Sequence, residues 1–167
     1  MVQKKFVPCK IMENIPVTQE TYDQLVQELD NLKKVERPHI ISEIADARAQ
    51  GDLKENAEYH AAKDRQGEIE SRIHHLEDKI ARSVIIAYDP SKSDSVKFGA
   101  TVDVKNVKTG KKSTYQLVSP EGVDPINGKI SFKSPIGEAL LGKTRGEIAE
   151  VKLPNGNINL LEIIDYR

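Results

Sequence analysis

The chain has 167 residues, 31% of them charged, with a formal net charge of −1, so it lacks the basic excess of a protein that coats nucleic acid by itself. Aromatics make up 5% and tryptophan is absent, which argues against a platform on which bases stack. No apolar run approaches the roughly 18 residues that cross a bilayer, and a single cysteine, Cys9, excludes an intramolecular disulfide and fits a reducing, cytoplasmic setting.

Residues 1–13 read as a tail. Lys4, Lys5, Pro8 and Lys10 break any period, no apolar signal-peptide core is present, and Met12 offers a second start. Thr18 reads as a helix N-cap with Glu20 and Asp23 near the positive helix end. Tyr22, Leu25, Leu29 and Leu32 follow at helical spacing. Pro38 lacks an N–H and predicts a kink or a register shift. Ile40, Ile41, Ile44, Ala45 and Ala47 carry the apolar face on to Gln50, and Gly51 suits the position that ends a helix. A second helical segment follows the period of Ile69, Ile73, Leu76 and Ile80, running to about Ile86. Two such stripes joined by a short turn pack antiparallel, giving a rod of roughly 45 Å at 1.5 Å per residue. The seam is satisfied within the hairpin, which predicts a monomer.

Residues 88–95 read as a linker, from Tyr88 through Pro90 to Ser95. Beyond it the period falls from 3.6 to 2. Val96, Phe98, Ala100, Val102 and Val104 alternate as a half-buried strand. Tyr115 and Leu117 mark a second strand, Ile130 and Phe132 a third. Ser134-Pro135 offers the cap and first residue of a short helix ending at Gly142. Ala149, Val151 and Leu153 alternate again, Asn155-Gly156 is a hairpin turn, and Ile158 to Ile164 is the returning strand. The fold class predicted is α+β: an antiparallel helical hairpin over 14–87, then a small antiparallel sheet domain with one short helix over 96–167.

The chemistry concentrates at the turn of the hairpin. Gly51-Asp52-Leu53-Lys54-Glu55-Asn56 places Asp52 and Glu55 far from any core. Asp-x-x-Glu before a helix also fits a capping box, with Asp52 as N-cap and Glu55 three residues on. The same carboxylates are hard oxygen ligands suited to Mg²⁺, but two are too few for a closed cage, so a partner would complete the site. Arg48, Lys54, Lys63, Arg65 and Arg72 are placed to meet phosphates or simply to solvate a long helix. Asn56 and Tyr59 either order the turn or position RNA. His60 reads as a surface residue. His74 and His75 point about 100° apart on a helix and make a poor chelate.

Several stretches together carry a family resemblance. They are Arg37-Pro38, Glu43-Ile44-Ala45-Asp46-Ala47-Arg48, the run from Gly51 to Lys63, Phe98-Gly99-Ala100-Thr101-Val102, and the run from Ser134 to Lys143. Over about residues 14–167 the chain resembles the bacterial Gre transcript-cleavage factors. The resemblance implies a coiled-coil hairpin that enters the secondary channel of RNA polymerase, and a C-terminal domain of FKBP-like fold that grips the channel rim. It implies that Asp52 and Glu55 are the catalytic tip acids, holding a weak Mg²⁺ jointly with the polymerase at backtracked nascent RNA. It also implies partner contacts along Ser134, Pro135, Ile136, Gly137, Leu140, Leu141 and Lys143, with Arg48, Lys54 and Arg65 near RNA. The first eleven or so residues extend beyond the family's usual start.

Other readings are a channel-binding inhibitor without cleavage, a prolyl isomerase and a dimerising coiled coil. Intact Asp52 and Glu55 argue against the first. The aromatic residues of the C-terminal half, Phe98, Tyr115, Phe132 and Tyr166, are few for the second. The internally satisfied seam argues against the third.

Overall fold

The computed structural model describes residues 14–49 and 56–167. The expectations for the tail and for Gly51, Asp52, Lys54 and Glu55 fall outside these residues. A short strand β1 (Ile15–Val17) leads into helix α1 (Gln19–Asn31). Thr18 caps it, its hydroxyl accepting the Thr21 N–H at 3.2 Å. Leu25 is the buried apolar side chain of this first stretch.

Pro38 acts through the turn before it. Leu32–Glu36 is π-helical, and the Arg37 N–H reaches back five residues to the Leu32 carbonyl. A widened turn lets the chain pass a residue that has no N–H and whose ring would crowd the carbonyl four back. The helix resumes as α2 (Arg37–Ala49), and its inward face is Ile40, Ile44 and Ala47. Ile41 is 52% exposed and Ala45 is also outside, so the apolar stripe is narrower than the sequence suggested.

Helix α3 (Ala57–Arg82) packs against α2 and, further down, α1. Ile73 and Leu76 are wholly buried in it. The expected run to Ile86 is corrected: the helix stops at Arg82, and β2 (Ser83–Ile85) pairs with β1 in parallel, in the register Pro16↔Val84. The β-branched run Val84-Ile85-Ile86 favours extended backbone, and β1 supplies its ladder.

The second half is a five-stranded sheet in the order β5-β4-β3-β7-β6. Its strands are β3 (Thr101–Asn106), β4 (Lys112–Val118), β5 (Lys129–Ser131), β6 (Ile148–Lys152) and β7 (Ile158–Tyr166). The α+β class stands, with one correction to the sheet: β5 runs parallel to β4, so the sheet is mixed. The alternation that begins at Val96 also becomes a strand only at Thr101. Gly99, with φ of 87°, turns the chain beforehand, although Val96 and Ala100 are already in the core. One face of the sheet and helix α4 (Pro135–Leu140) enclose a core that includes Val102, Val104, Leu117, Leu140, Val151 and Ile163. Tyr88, from the linker stretch, packs on that core too.

The two halves touch at the base of the hairpin. Lys129 holds Glu20 at 2.5 Å and Lys79 holds Glu121 at 3.3 Å. Gly122 is pressed against Thr21, where a Cβ would come within 2.3 Å of the threonine hydroxyl oxygen.

Candidate functional site at the hairpin tip

Two long helical stretches run side by side away from the sheet domain. Helix α3 alone spans about 39 Å at 1.5 Å per residue. Their far ends, Ala49 and Asn56, border the segment that carries Asp52 and Glu55.

Asn56 organises this end. Its Oδ1 accepts the Tyr59 N–H at 3.0 Å and so caps α3. Its Nδ2 donates to the Ala47 carbonyl at 2.8 Å, tying the start of α3 to the last turn of α2. One side chain thus satisfies an orphan donor of one helix and an orphan acceptor of the other. This corrects the capping-box expectation: the cap of α3 is Asn56, and Asp52 is not needed for that bond. The signal was present in the sequence as an Asn three residues before Tyr59, but the Asp-x-x-Glu spacing matched a more familiar motif.

Below Asn56, Tyr59 packs on a small cluster of Ile40, Ile44 and Ala62. The Arg48 guanidinium lies 5.7 Å from the centre of the Tyr59 ring. Hydrogen bonding to Arg48 holds the Tyr59 phenol below the usual tyrosine range. Arg48 is therefore engaged with the tip's own packing, and Arg65 lies 3.5 Å from Glu43. Lys63 donates to Gln66 at 2.7 Å. Arg72 is further down the rod, bound to Glu28 at 2.6 Å. His60 is exposed and meets Tyr59 edge to face. His74 lies beside Glu77, at 3.6 Å, rather than beside a second metal ligand.

A groove of about 360 Å³ runs between α2 and α3 near the tip, floored by Ala47, Ala61 and Ala62 and edged by Glu43, Asp46, Glu58 and Arg65. Small floor residues let the helices approach closely, and the edge is chiefly acidic. Among the described residues no group of three His, Cys, Asp or Glu is placed to hold a metal ion.

At the other end of the molecule, the segment from Ser134 to Lys143 divides in two. Ser134 caps α4, accepting the Gly137 N–H at 3.1 Å. Gly137 is buried, with the Ser131 carbonyl oxygen 2.2 Å from where a Cβ would stand. Leu140 is 0% exposed. Contact with a partner is thus closed to Gly137 and Leu140, because the domain's own core occupies them. Ile136 and Leu141 are half-buried against that core, while Pro135 is exposed. Lys143 lies 3.9 Å from Glu147. Pro135 also borders a shallow groove with Lys133, Glu138, Ala139, Glu150 and Lys152.

Fold and site together define a two-domain protein that holds a thin helical probe out from a sheet domain. The family models agree across both halves. The model described as transcription elongation factor, N-terminal, matches residues 15–85, and that described as transcription elongation factor, GreA/GreB, C-terminal, matches residues 90–166. Transcription elongation factor GreA of Thermodesulfovibrio yellowstonii is 50% identical over 149 residues, covering 88% of this chain and 93% of that one. The protein of the same name from Caulobacter vibrioides is 49% identical over 145 residues, covering 87% and 92%. Among solved structures, GreA factor homolog 1 of Thermus thermophilus is 25% identical, covers 93% of this chain and 99% of its own, and has a TM-score of 0.42. The chain belongs to the GreA/GreB family of transcription elongation factors. No helix among the described residues is long and apolar enough to cross a membrane.

Proposed function

We propose that this chain is an elongation factor that enters the secondary channel of bacterial RNA polymerase and stimulates cleavage of backtracked nascent RNA. It acts as an accessory factor: the polymerase performs the cleavage, and the chain lends it carboxylates. What carries the reading is the pairing of the family match with the geometry of the rod, whose far ends border the segment holding Asp52 and Glu55. A probe about 10 Å across per helix suits a narrow channel better than a broad interface.

Mg²⁺, held jointly with the polymerase, would supply charge stabilisation at the attacking and leaving oxygens. The donor set fits: two carboxylates are the usual protein share of a Mg²⁺ site whose remaining ligands are waters and phosphate. Asp52 supplies a ligand, and Glu55 either shares that role or takes the proton of the attacking water. Asn56 keeps the two helix ends together whichever acid does which. The sheet domain supplies affinity through the exposed part of the segment from Ser134 to Lys143. Arg48, Lys54 and Arg65 would meet the phosphates of that RNA.

The test is a stalled, backtracked elongation complex given the purified chain. Asp52→Asn and Glu55→Gln should each lower the cleavage rate by about tenfold or more, a barrier change of at least about 1.4 kcal/mol. Helical circular dichroism and polymerase binding should stay as in the wild type. Excess Mg²⁺ should partly restore the variant that has lost a ligand and not the one that has lost a base. Normal cleavage by both variants at low Mg²⁺ would exclude the proposed role of these carboxylates.

A further inference from the structure

The sheet domain carries one concentration of charge that neither the fold nor the proposed chemistry uses. The β3–β4 hairpin bears Lys105, Lys108, Lys111 and Lys112, all exposed. Among the described residues none of the four is ion-paired, whereas Lys79 and Lys129 each hold a carboxylate. The acids on neighbouring positions do not neutralise them. Asp103 is taken by Thr114 and Arg167, at 2.6 Å each. Glu162 is opposite Lys105 on β7 but makes no ion pair with it.

Two features set this apart from ordinary solvation. First, Lys105 and Lys112 are direct partners across the β3–β4 ladder. Like charges directly opposite each other destabilise a sheet, so the fold gains nothing from the pairing. Second, the tip is stiff. Asn106 Oδ1 accepts the N–H groups of Lys108 and Thr109 at 2.9 and 3.0 Å. The Gly110 N–H donates to the Asn106 carbonyl at 2.8 Å, and Gly110 has φ of 70°, a turn that a side chain would strain. Lysines rooted in an ordered turn lose less backbone freedom when they bind. Val107, 45% exposed, stands among them.

We infer that this hairpin is an interaction surface for an acidic polypeptide segment, and, resting on the function proposed above, that the segment belongs to the polymerase. A protein fits better than nucleic acid on three grounds. The whole chain is at −1, which weakens attraction to a polyanion at a distance. Tyr115, the single aromatic residue of this hairpin, is half-buried against the core, and one such ring is little for a surface on which bases stack. Val107 gains from an apolar contact on a protein and nothing from a phosphate.

The test uses the full chain carrying Lys108→Glu, Lys111→Glu and Lys112→Glu together. Its thermal midpoint should not fall, because Lys112→Glu sets opposite charges across the ladder from Lys105. Its association rate with core polymerase at about 0.1 M salt should fall about tenfold or more, and the salt dependence of that rate should flatten. A milder pair, Lys108→Gln with Lys111→Gln, should move the rate the same way by a smaller factor if the triple variant misfolds. Equal association rates for wild type and variant would overturn the inference. So would a variant that loses only its binding to a single-stranded RNA oligonucleotide, which would assign the surface to nucleic acid. If the wild type cleaves and the variant matches it in association, only this inference fails. If the wild type does not bind polymerase at all, the proposed function fails with it.

Discussion

The hairpin and the sheet domain are stabilised by different means. The tip half of the hairpin buries Ile40, Ile44 and Ala62 with help from Tyr59 and Ile69, while the sheet domain buries a continuous core that runs from Val96 to Tyr166. Along the rod, ion pairs between arms are frequent. Arg37 grips Glu70 with two bonds, at 2.8 and 2.5 Å, and Arg72 and Lys33 reach across to Glu28 and Glu77. These groups are about one-third or more exposed, so each pair contributes little, and their use is to align the arms rather than to hold them. The contrast teaches where a two-domain factor can place chemistry. On the function proposed above, the thin rod carries chemistry to another protein's site, while the compact domain holds the larger core.

The sharpest way to break this comparison is to remove the same kind of side chain from each half. Leu140→Ala should destabilise the sheet domain by about 3 kcal/mol or more, since the residue is fully enclosed and the site cannot collapse. Ile44→Ala in the rod should cost closer to about 2 kcal/mol, because neighbours on a two-helix surface can close in. Urea unfolding followed by circular dichroism measures both. Equal losses would mean that the rod is as tightly packed as the domain.

Asn56→Ala should cost about 1 kcal/mol by loss of the cap, and should fray the two helix ends together because the bond to Ala47 goes as well. Asn56→Asp keeps the acceptor and loses the donor, so it separates the two roles. Hydrogen exchange at Tyr59 and at the last turn of α2 reads the difference. Protection retained at both places in Asn56→Ala would show that the tip does not depend on this residue.

The smallest effect is one of pH. The Thr114 hydroxyl, and after it Arg167, hold the Asp103 carboxyl below its ordinary value of 3.8. A carboxylate depressed in the folded state contributes stability that is fully present above about pH 4 and is lost as pH falls through the folded value. Asp103→Asn should therefore lower the sheet domain's stability at pH 7, where the carboxylate contributes, and narrow that difference from wild type as pH falls below about 4, flattening the acid limb. In the rod, Lys33 holds Glu77 low in the same sense, and its greater exposure predicts a weaker acid limb. Thermal melts between pH 3 and pH 5, conditions chosen to bracket the ordinary carboxylate range, test both.

Much of this molecule was legible in its residues. The period of Ile69, Ile73 and Leu76 placed the inner face of α3, and Ser134-Pro135 fixed the start of α4, whose end at Leu140 falls two residues short of Gly142. Thr18 capped α1 as its hydroxyl allowed. These features are local: a cap, a period or a turn is set by residues within a few positions of one another, so the sequence alone determines them. The tip acids were also legible as a motif, but the structure describes only the residues on either side of them.

Other features were decided by tertiary structure. Whether Val84 to Ile86 continues a helix or leaves it depends on β1, which lies more than sixty residues earlier in the chain and offers a ladder only after the hairpin has closed. The parallel pairing of β5 with β4 is likewise a choice among edges that the period of two does not distinguish. Ile41 shows the same limit from the other side: its place in the apolar run is a fact of sequence, but the π-helical turn ahead of Pro38 sets the face it presents. Leu140 and Asn56 complete the division. Composition and spacing made each a candidate, for a partner contact and for the turn, and only the packing of α4 on the sheet and of α2 on α3 assigned one to the core and the other to the bond that joins the helix ends.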